Sequence, residues 1–553
     1  MSQILGIGGS IHDFSTCLIK ENKEIIAIED ERLTRERYAV SSTNPCFPSL
    51  QYCLENAGTR LEDVEQIIGN DALRNILKVD LLEKITFHNH HLTHAYSAFF
   101  TSDFDESAIL VVDGAGSEML TGKLDNDFET VTYAYGKDNK IETISQVYGD
   151  LSGENPLTKS VTLMSNSIGE LYRAISETIE LGWLTGPGKT MGLAPYGYSH
   201  VENMHNHVVS EIMQCVTLNS GGQFRIKING SEGIIERLYK IRKQLRRKEK
   251  HFDIDAAIAS AGQEVLEIAL FHMLDYLYEK TQSTNLCIVG GVALNSIANG
   301  KILSSSKFNN IHVIFAPGDN GTAIGGAIAG YMDQYDTESE IQRFKLTPYL
   351  GVEYSNSKIE QALITSSLSY KKLNNLNKEI ARLISMGKVV GWYQGGSEYG
   401  PRALGNRSLL ADPRNPKMRD HINNNIKKRE WFRPLAPVVL ETDASDYFDI
   451  ECNSSWMQFV WPVKQRCYDL IPSVTHVDGS ARVQTLNQDN NPLLYNLLDE
   501  YKSTTGVPML LNTSFNINGE PIVETPTDAI NSFIGSAIDV LVLGEYVVTK
   551  KIK

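Results

Sequence analysis

The chain contains no Cys-x-x-Cys pair, and its seven cysteines (Cys17, Cys46, Cys53, Cys215, Cys287, Cys452 and Cys467) are odd in number and scattered. That pattern excludes a thiolate zinc site and a disulfide scaffold, and it fits reduced thiols filling a core in a cytoplasmic protein. The opening Met1-Ser2-Gln3-Ile4-Leu5 has neither a basic stretch nor a long apolar one, so no secretory signal is expected. No apolar run approaches the roughly 20 residues that span a bilayer, so no membrane role is expected. A basic excess is also missing. The net charge of -15 argues against general nucleic-acid binding, although it leaves room for a local basic pocket.

The 553 residues exceed what one core holds, so two large domains are expected, with the boundary in the polar stretch 333–350. Ile4 to Gly9 reads as a strand ending in glycines, His12 to Ser15 as a turn, and Ser15–Ile19 and Glu24–Glu29 as further strands. Helices are expected near 48–57 and 91–100, and an apolar strand delivers Asp113 into Gly114-Ala115-Gly116. Leu286–Val289 and Ile311–Phe315 read as strands ending in glycine turns, the second followed by a helix from Thr322 to Met332. The recurring punctuation suggests a duplicated α/β fold.

Four of the 13 histidines, His88, His90, His91 and His94, fall within one short stretch. His90 and His94 are spaced to leave a helix from one face. With the strand-terminal Asp113, they outline a metal site. Gly188-Lys189-Thr190 imitates the end of a P-loop, but the first glycine is out of register, with Trp183 in its place. Neither a strand before it nor a helix after it is expected. The basic run from Arg237 to Lys250 reads as a solvated helical face, with phosphate binding as the alternative.

From Arg402 to Arg433 nine basic residues stand against three acidic ones, a local excess of six positive charges. Arginine forks suit phosphate oxygens. Arg482 and the segment Asn512-Thr513-Ser514-Phe515-Asn516, after a strand, add donors to the same picture. Surface ion pairs are the competing reading of these arginines.

Long motifs then identify a family. Ser397-Glu398-Tyr399-Gly400-Pro401-Arg402-Ala403-Leu404-Gly405-Asn406-Arg407-Ser408, followed by Lys427-Lys428-Arg429-Glu430-Trp431-Phe432-Arg433-Pro434, resembles O-carbamoyltransferases of the NodU/CmcH type. His90-His91-Leu92-Thr93-His94-Ala95 and Gly188 through Gly197 resemble the same family. The resemblance implies an α/β protein with two parts. The first is an N-terminal Kae1-like (actin/hexokinase-type ASKHA) domain over 1–345. The second is a C-terminal YrdC-like α/β domain over 346–553.

It further implies ATP-dependent transfer of the carbamoyl group of carbamoyl phosphate to a hydroxyl, through carbamoyladenylate. By resemblance, His90, His94, Asp113 and Asp319 are the ligands of a divalent metal, usually iron. Arg402, Lys427, Arg433, Arg482 and Ser514 match the carbamoyl phosphate and ATP contacts, with Mg2+ expected beside ATP. Gly290, Gly291 and Asn295 are expected to approach the nucleoside. Lys189 is expected at a phosphate, unless it is a surface lysine in a turn. His12, beside Asp13, is the candidate general base, with His91 the alternative.

The acceptor is expected to be a secondary metabolite or a sugar-containing molecule, held by loops that include 145–165 and 199–250. An N-carbamoyl or amide-forming transferase and a nucleotide-regulated binding protein are the competing functions. A homo-oligomer is compatible with all of them.

Overall fold

A short apolar run opens the chain, and the backbone follows it as a strand. The computed structural model describes residues 3–39, 47–74, 76–77, 82–118, 127–151, 163–230, 232–246, 250–334 and 340–550. Cys46, Arg247, Lys248 and parts of the stretches 145–165, 199–250 and 333–350 lie outside these. Gln3–Gly8 is a strand buried after its first residue. Ser15–Lys20 and Ile25–Glu29 form an antiparallel hairpin with Ser15 opposite Glu29. The six described cysteines are all free, five of them buried. No described helix is long and apolar enough to cross a membrane.

The chain forms two compact units, both of mixed α/β structure. One contains Ile4–Ser10 and Gln66–Lys345, and the other contains Ile11–Glu65 and Leu346–Lys553. Ile11–Glu65 belongs to the same compact unit as Leu346–Lys553. The hydrogen bonds behind that grouping run from Arg32 to Gly400 and from Arg35 to Pro521 and Ile522, across hundreds of residues.

In the unit holding Gln66–Lys345, the strand Gln3–Gly8 pairs in parallel with Gln66–Asn70, which pairs in parallel with Ile85–His88. A second sheet runs in the order Asn310–His312, Asn285–Val289, Glu106–Val112, Asp127–Lys137, Lys140–Asp150. Its first three strands are parallel and the last two antiparallel. The helices His90–Phe99 and Gly321–Gln334 cross nearly backbone to backbone. A Cβ at Gly325 would stand 1.8 Å from the Thr93 carbonyl oxygen, so only glycine permits this crossing. It fixes the first turn of one helix, with His90 and His94, beside the residues that lead into the other, including Asp319.

Two local expectations are corrected. The strand expected over Ile311–Phe315 spans only Asn310–His312. Its partner is matched only as far as Cys287, and beyond His312 the chain turns so that the Pro317 carbonyl accepts the Gly290 N–H at 2.8 Å. Gly188-Lys189-Thr190 lies within the helix Gly186–His200, so a helix does carry it. The element before it is the helix Ile168–Thr178 rather than a strand, and the Thr190 hydroxyl is spent on Ser176 at 2.7 Å. A P-loop therefore remains excluded.

The run beginning at Arg237 lies on the helix Ile234–Leu245 as an ion-paired face. Arg237 meets Glu211 at 3.1 Å, Lys240 meets Glu236 at 2.9 Å, and Arg242 meets Asp255 at 2.8 Å.

The second unit is built on an eight-stranded mixed sheet. Its order is Tyr370–Lys372, Tyr546–Thr549, Val540–Leu543, Val390–Tyr393, Arg407–Ala411, Met509–Ser514, Ala436–Leu440, Gln484–Leu486. The strands Val390–Tyr393 and Arg407–Ala411 are wholly buried, and the helix Pro492–Thr505 packs on this sheet. Loops around this sheet carry Arg402, Arg429 and Arg433, and Arg482 ends the short strand Ser480–Arg482.

Candidate functional site

The histidine stretch folds as its spacing predicts. The Asn89 side chain accepts the Leu92 N–H at 2.8 Å and caps the helix His90–Phe99. His90, His91 and His94 are all buried. His90 Nε2 lies 3.2 Å from Asp113 Oδ2, 3.2 Å from His94 Nε2 and 3.7 Å from Asp319 Oδ1. His94 Nε2 lies 3.7 Å from the same Asp319 oxygen. The four ligand atoms of His90, His94, Asp113 and Asp319 stand within 4.8 Å of one another. His88 points elsewhere, toward Asp333 at 3.9 Å.

Each carboxylate is held from behind. Asp113 Oδ1 accepts the Gly291 N–H at 3.0 Å, leaving Oδ2 for the cluster. Asp319 Oδ2 accepts from Ser10 Oγ, leaving Oδ1. Backing bonds of this kind orient metal ligands. Burial opposes a charge on His90, but hydrogen bonds to Asp113 and Asp319 outweigh it and push the ring up to about 10. Protons can satisfy some of these facing atoms, whereas one divalent cation satisfies all four. Mixed nitrogen and oxygen donors suit iron, zinc or manganese. The residues therefore fit a metal.

His91 is turned out of this cluster. Its Nδ1 pairs with Thr132 Oγ1 at 2.8 Å, and burial, with His90 nearby, holds the ring down to about 3, so it is neutral. Gly290, at φ 96°, faces the Val112 backbone, where a Cβ would stand 2.3 Å from the carbonyl oxygen. Asn295 caps the helix Ser296–Ser305 and exchanges hydrogen bonds with Gln263 at 2.9 and 3.1 Å. Lys189 lies half-buried on its helix.

His12 and Asp13 belong to the other unit. His12 Nδ1 lies 3.0 Å from Asp13 Oδ2, and Asp13 takes the left-handed conformation at φ 60°.

That unit also gathers the basic residues. Lys427 is buried, while Arg402, Arg429, Arg433 and Arg482 are half-buried. Lys427 Nζ donates to the Ser514 carbonyl, to Ser514 Oγ at 2.9 Å and to Asn516 Oδ1 at 2.5 Å. Burial and the neighbouring cations Arg402, Arg433 and Arg429 hold Arg482 well below the usual arginine range. Burial and Arg433 lower Arg402 to about 10 and Arg429 to about 9. Among the described residues no carboxylate is within ion-pair distance of Arg402 or Arg482, and Arg433 has Glu430 at 3.7 Å. Such crowding suits a multiply charged anion.

Other arginines of the same run are structural. Arg407 stacks on the Tyr393 ring at 3.6 Å, and Arg414 pairs with Asp412 at 2.6 Å. Sequence reading missed Ser10 and the part played by Arg429. Only the density of basic residues around Arg429 hinted at it.

The carbamoyltransferase N-terminal model matches residues 3–78 and 70–328, and the carbamoyltransferase C-terminal model matches 381–550. The chain is 34% identical to nodulation protein NolNO of Sinorhizobium fredii, over 98% of this chain and 79% of that protein. It is 34% identical to nodulation protein NolO of Bradyrhizobium diazoefficiens, over 84% of this chain and 79% of that protein. It is 26% identical to the 3'-hydroxymethylcephem-O-carbamoyltransferase of Amycolatopsis lactamdurans, over 97% of each. The chain belongs to the carbamoyltransferase family and is a transferase enzyme.

Proposed function

We propose that this enzyme is an ATP-dependent O-carbamoyltransferase that works through carbamoyladenylate. Residues 1–345 serve as a Kae1-like transfer domain and residues 346–553 as a YrdC-like activating domain. Carbamoyl phosphate, ATP, water and an alcohol give the carbamate ester, AMP, pyrophosphate and phosphate. The observation that carries this reading is the convergence of Lys427, Arg402, Arg429, Arg433 and Arg482, five cations among which only Arg433 has a described carboxylate within ion-pair distance, Glu430 at 3.7 Å, since both co-substrates are polyanions. Arg402, Arg433 and Arg482 take phosphate oxygens, Lys427 adds a point charge, and Ser514 supplies a hydroxyl.

His90, His94, Asp113 and Asp319 would hold a divalent metal, by family iron, which when bound supplies Lewis-acid polarisation. Asp13 occupies His12 Nδ1. The imidazole is thereby oriented so that Nε2 takes the alcohol proton, the role that orienting carboxylates support elsewhere. Gly291 N–H keeps Asp113 aimed. Lys189 is placed at the adenylate phosphate, with Gly290 and Asn295 shaping the wall beside it. The acceptor is a hydroxylated metabolite or sugar-containing molecule, and Mg2+ accompanies ATP.

The test is a product assay with labelled carbamoyl phosphate, ATP and a panel of alcohols and amines. Release of AMP and pyrophosphate, with an alkali-labile carbamate, supports the reading. Turnover without AMP excludes the adenylate, and an alkali-stable product turns the assignment to amine acceptors.

A further inference from the structure

Three charged residues at the end of the first hairpin are used neither for catalysis nor for an ordinary core. Glu29 ends the strand Ile25–Glu29, Arg32 lies in the short helix Asp30–Thr34, and Arg35 is its left-handed C-cap at φ 63°. Their i, i+3 spacing places them along one side of the chain. Arg32 is 1% exposed, and its Nε and Nη1 make no hydrogen bond. A well-packed apolar side chain would cost less there than an arginine so poorly satisfied.

What the pair grips explains its presence. The Gly400 N–H donates to Glu29 Oε1 at 2.5 Å, and the Gly400 carbonyl accepts from Arg32 Nη2 at 2.6 Å. Arg32 Nε meets Glu29 Oε2 at 3.5 Å, so one ion pair seizes both main-chain groups of one residue. Gly400, at φ 102°, stands two residues before Arg402. On the far side of the same loop, Glu398 Oε1 accepts the N–H groups of Leu404 at 2.7 Å, Asn406 at 2.8 Å and Arg407 at 3.2 Å. Arg35 grips a second loop, donating to the Ile522 carbonyl at 2.7 Å and the Pro521 carbonyl at 3.0 Å. That loop closes on Ser514–Asn516, because the Val523 N–H reaches the Phe515 carbonyl at 3.0 Å and Asn516 Nδ2 the Glu520 carbonyl at 2.6 Å.

We infer that Glu29, Arg32 and Arg35 are positioning residues of the anion pocket, fastening the loop that carries Arg402 and the loop that backs Ser514. The inference rests on the pocket being the phosphate site. Mutually repelling guanidiniums spread unless their loops are pinned, and a misplacement of about 1 Å costs on the order of 100-fold in a positioned site. The N-terminal hairpin thereby becomes part of the activating site.

The test is a double-mutant cycle read by calorimetric titration of inorganic pyrophosphate into the full chain, with melting temperature in parallel. Arg402→Ala is the reference. If it leaves pyrophosphate binding unchanged, the pocket reading falls and this inference with it. If it weakens binding, Arg32→Lys and Glu29→Gln should each raise the dissociation constant roughly tenfold in the parent and leave it within about twofold on the Arg402→Ala background. The same fold loss on both backgrounds shows a general structural role and overturns the inference. Arg35 is partly exposed, so Arg35→Ala, cycled against Ser514→Ala, tests it again if the buried pair cannot be replaced in a folded protein. An additive result there overturns it equally.

Discussion

The two charge clusters are opposites in sign and in construction. The His90–His94–Asp113–Asp319 cluster draws its side chains from the ends of regular elements: the start of a helix, the end of a strand and the lead into another helix. The basic cluster draws Arg402, Lys427, Arg429 and Arg433 from loops and turns around the eight-stranded sheet and Arg482 from the end of the short strand Ser480–Arg482. Both assemble groups that folding alone disfavours, so each gains most from a ligand of opposite charge. The difference is in how precision is obtained. Regular elements fix the first cluster through packing, whereas the second depends on hydrogen bonds that pin its loops.

The largest expected effect separates the two clusters by step. Arg402→Ala should lower carbamoyl-dependent pyrophosphate release by on the order of 100- to 1000-fold, as removal of a transition-state donor does elsewhere. His90→Ala should spare that release and abolish carbamate formation. Loss of the same step in both variants would erase the division of labour. Next, Asp319→Asn should reduce bound metal, measured by elemental analysis after reconstitution with Fe2+, with affinity falling by roughly 10-fold or more. Unchanged metal content would remove the first cluster from the comparison.

A third prediction uses a buried carboxyl as a reference for both clusters. Burial raises Asp30 from 3.8 to about 6, against the lowering effect of Ser49. The folded state therefore binds this proton more tightly than the unfolded chain, and stability falls as pH rises through 3.8 to about 6. Asp30→Asn should flatten that slope and stabilise the protein near pH 7 by up to roughly 3 kcal/mol in denaturant titrations. An unaltered slope would deny the burial penalty on which the comparison draws. The smallest effect concerns repulsion itself. Arg482→Met should raise the stability of the ligand-free protein by about 1 kcal/mol while reducing its stabilisation by pyrophosphate. Destabilisation without ligand would mean that the cations are not in conflict.

Much of the first cluster is legible in sequence. His90 and His94 announce themselves by helical spacing, and Asp113 by ending an apolar run. Asp319 is reached only through the family resemblance, since no local period links it to the histidines. The backing bonds from Ser10 and Gly291 are invisible for the same reason. The pocket is less legible, because Arg402, Arg407 and Arg414 share one residue type within one run. Only the fold sends Arg407 onto Tyr393 and Arg414 onto Asp412 while Arg402 faces other cations. The grouping of Ile11–Glu65 with the C-terminal stretch is also a matter of long-range hydrogen bonds, which periodicity does not encode.

The bare Cα of Gly325 acts as a gauge. It sets how near the carbonyl of Thr93 lies to the opposite helix, and with it the reach from the two imidazoles to Asp319. One added methyl group there would pry the helices apart and detune the cluster without altering any of its four side chains.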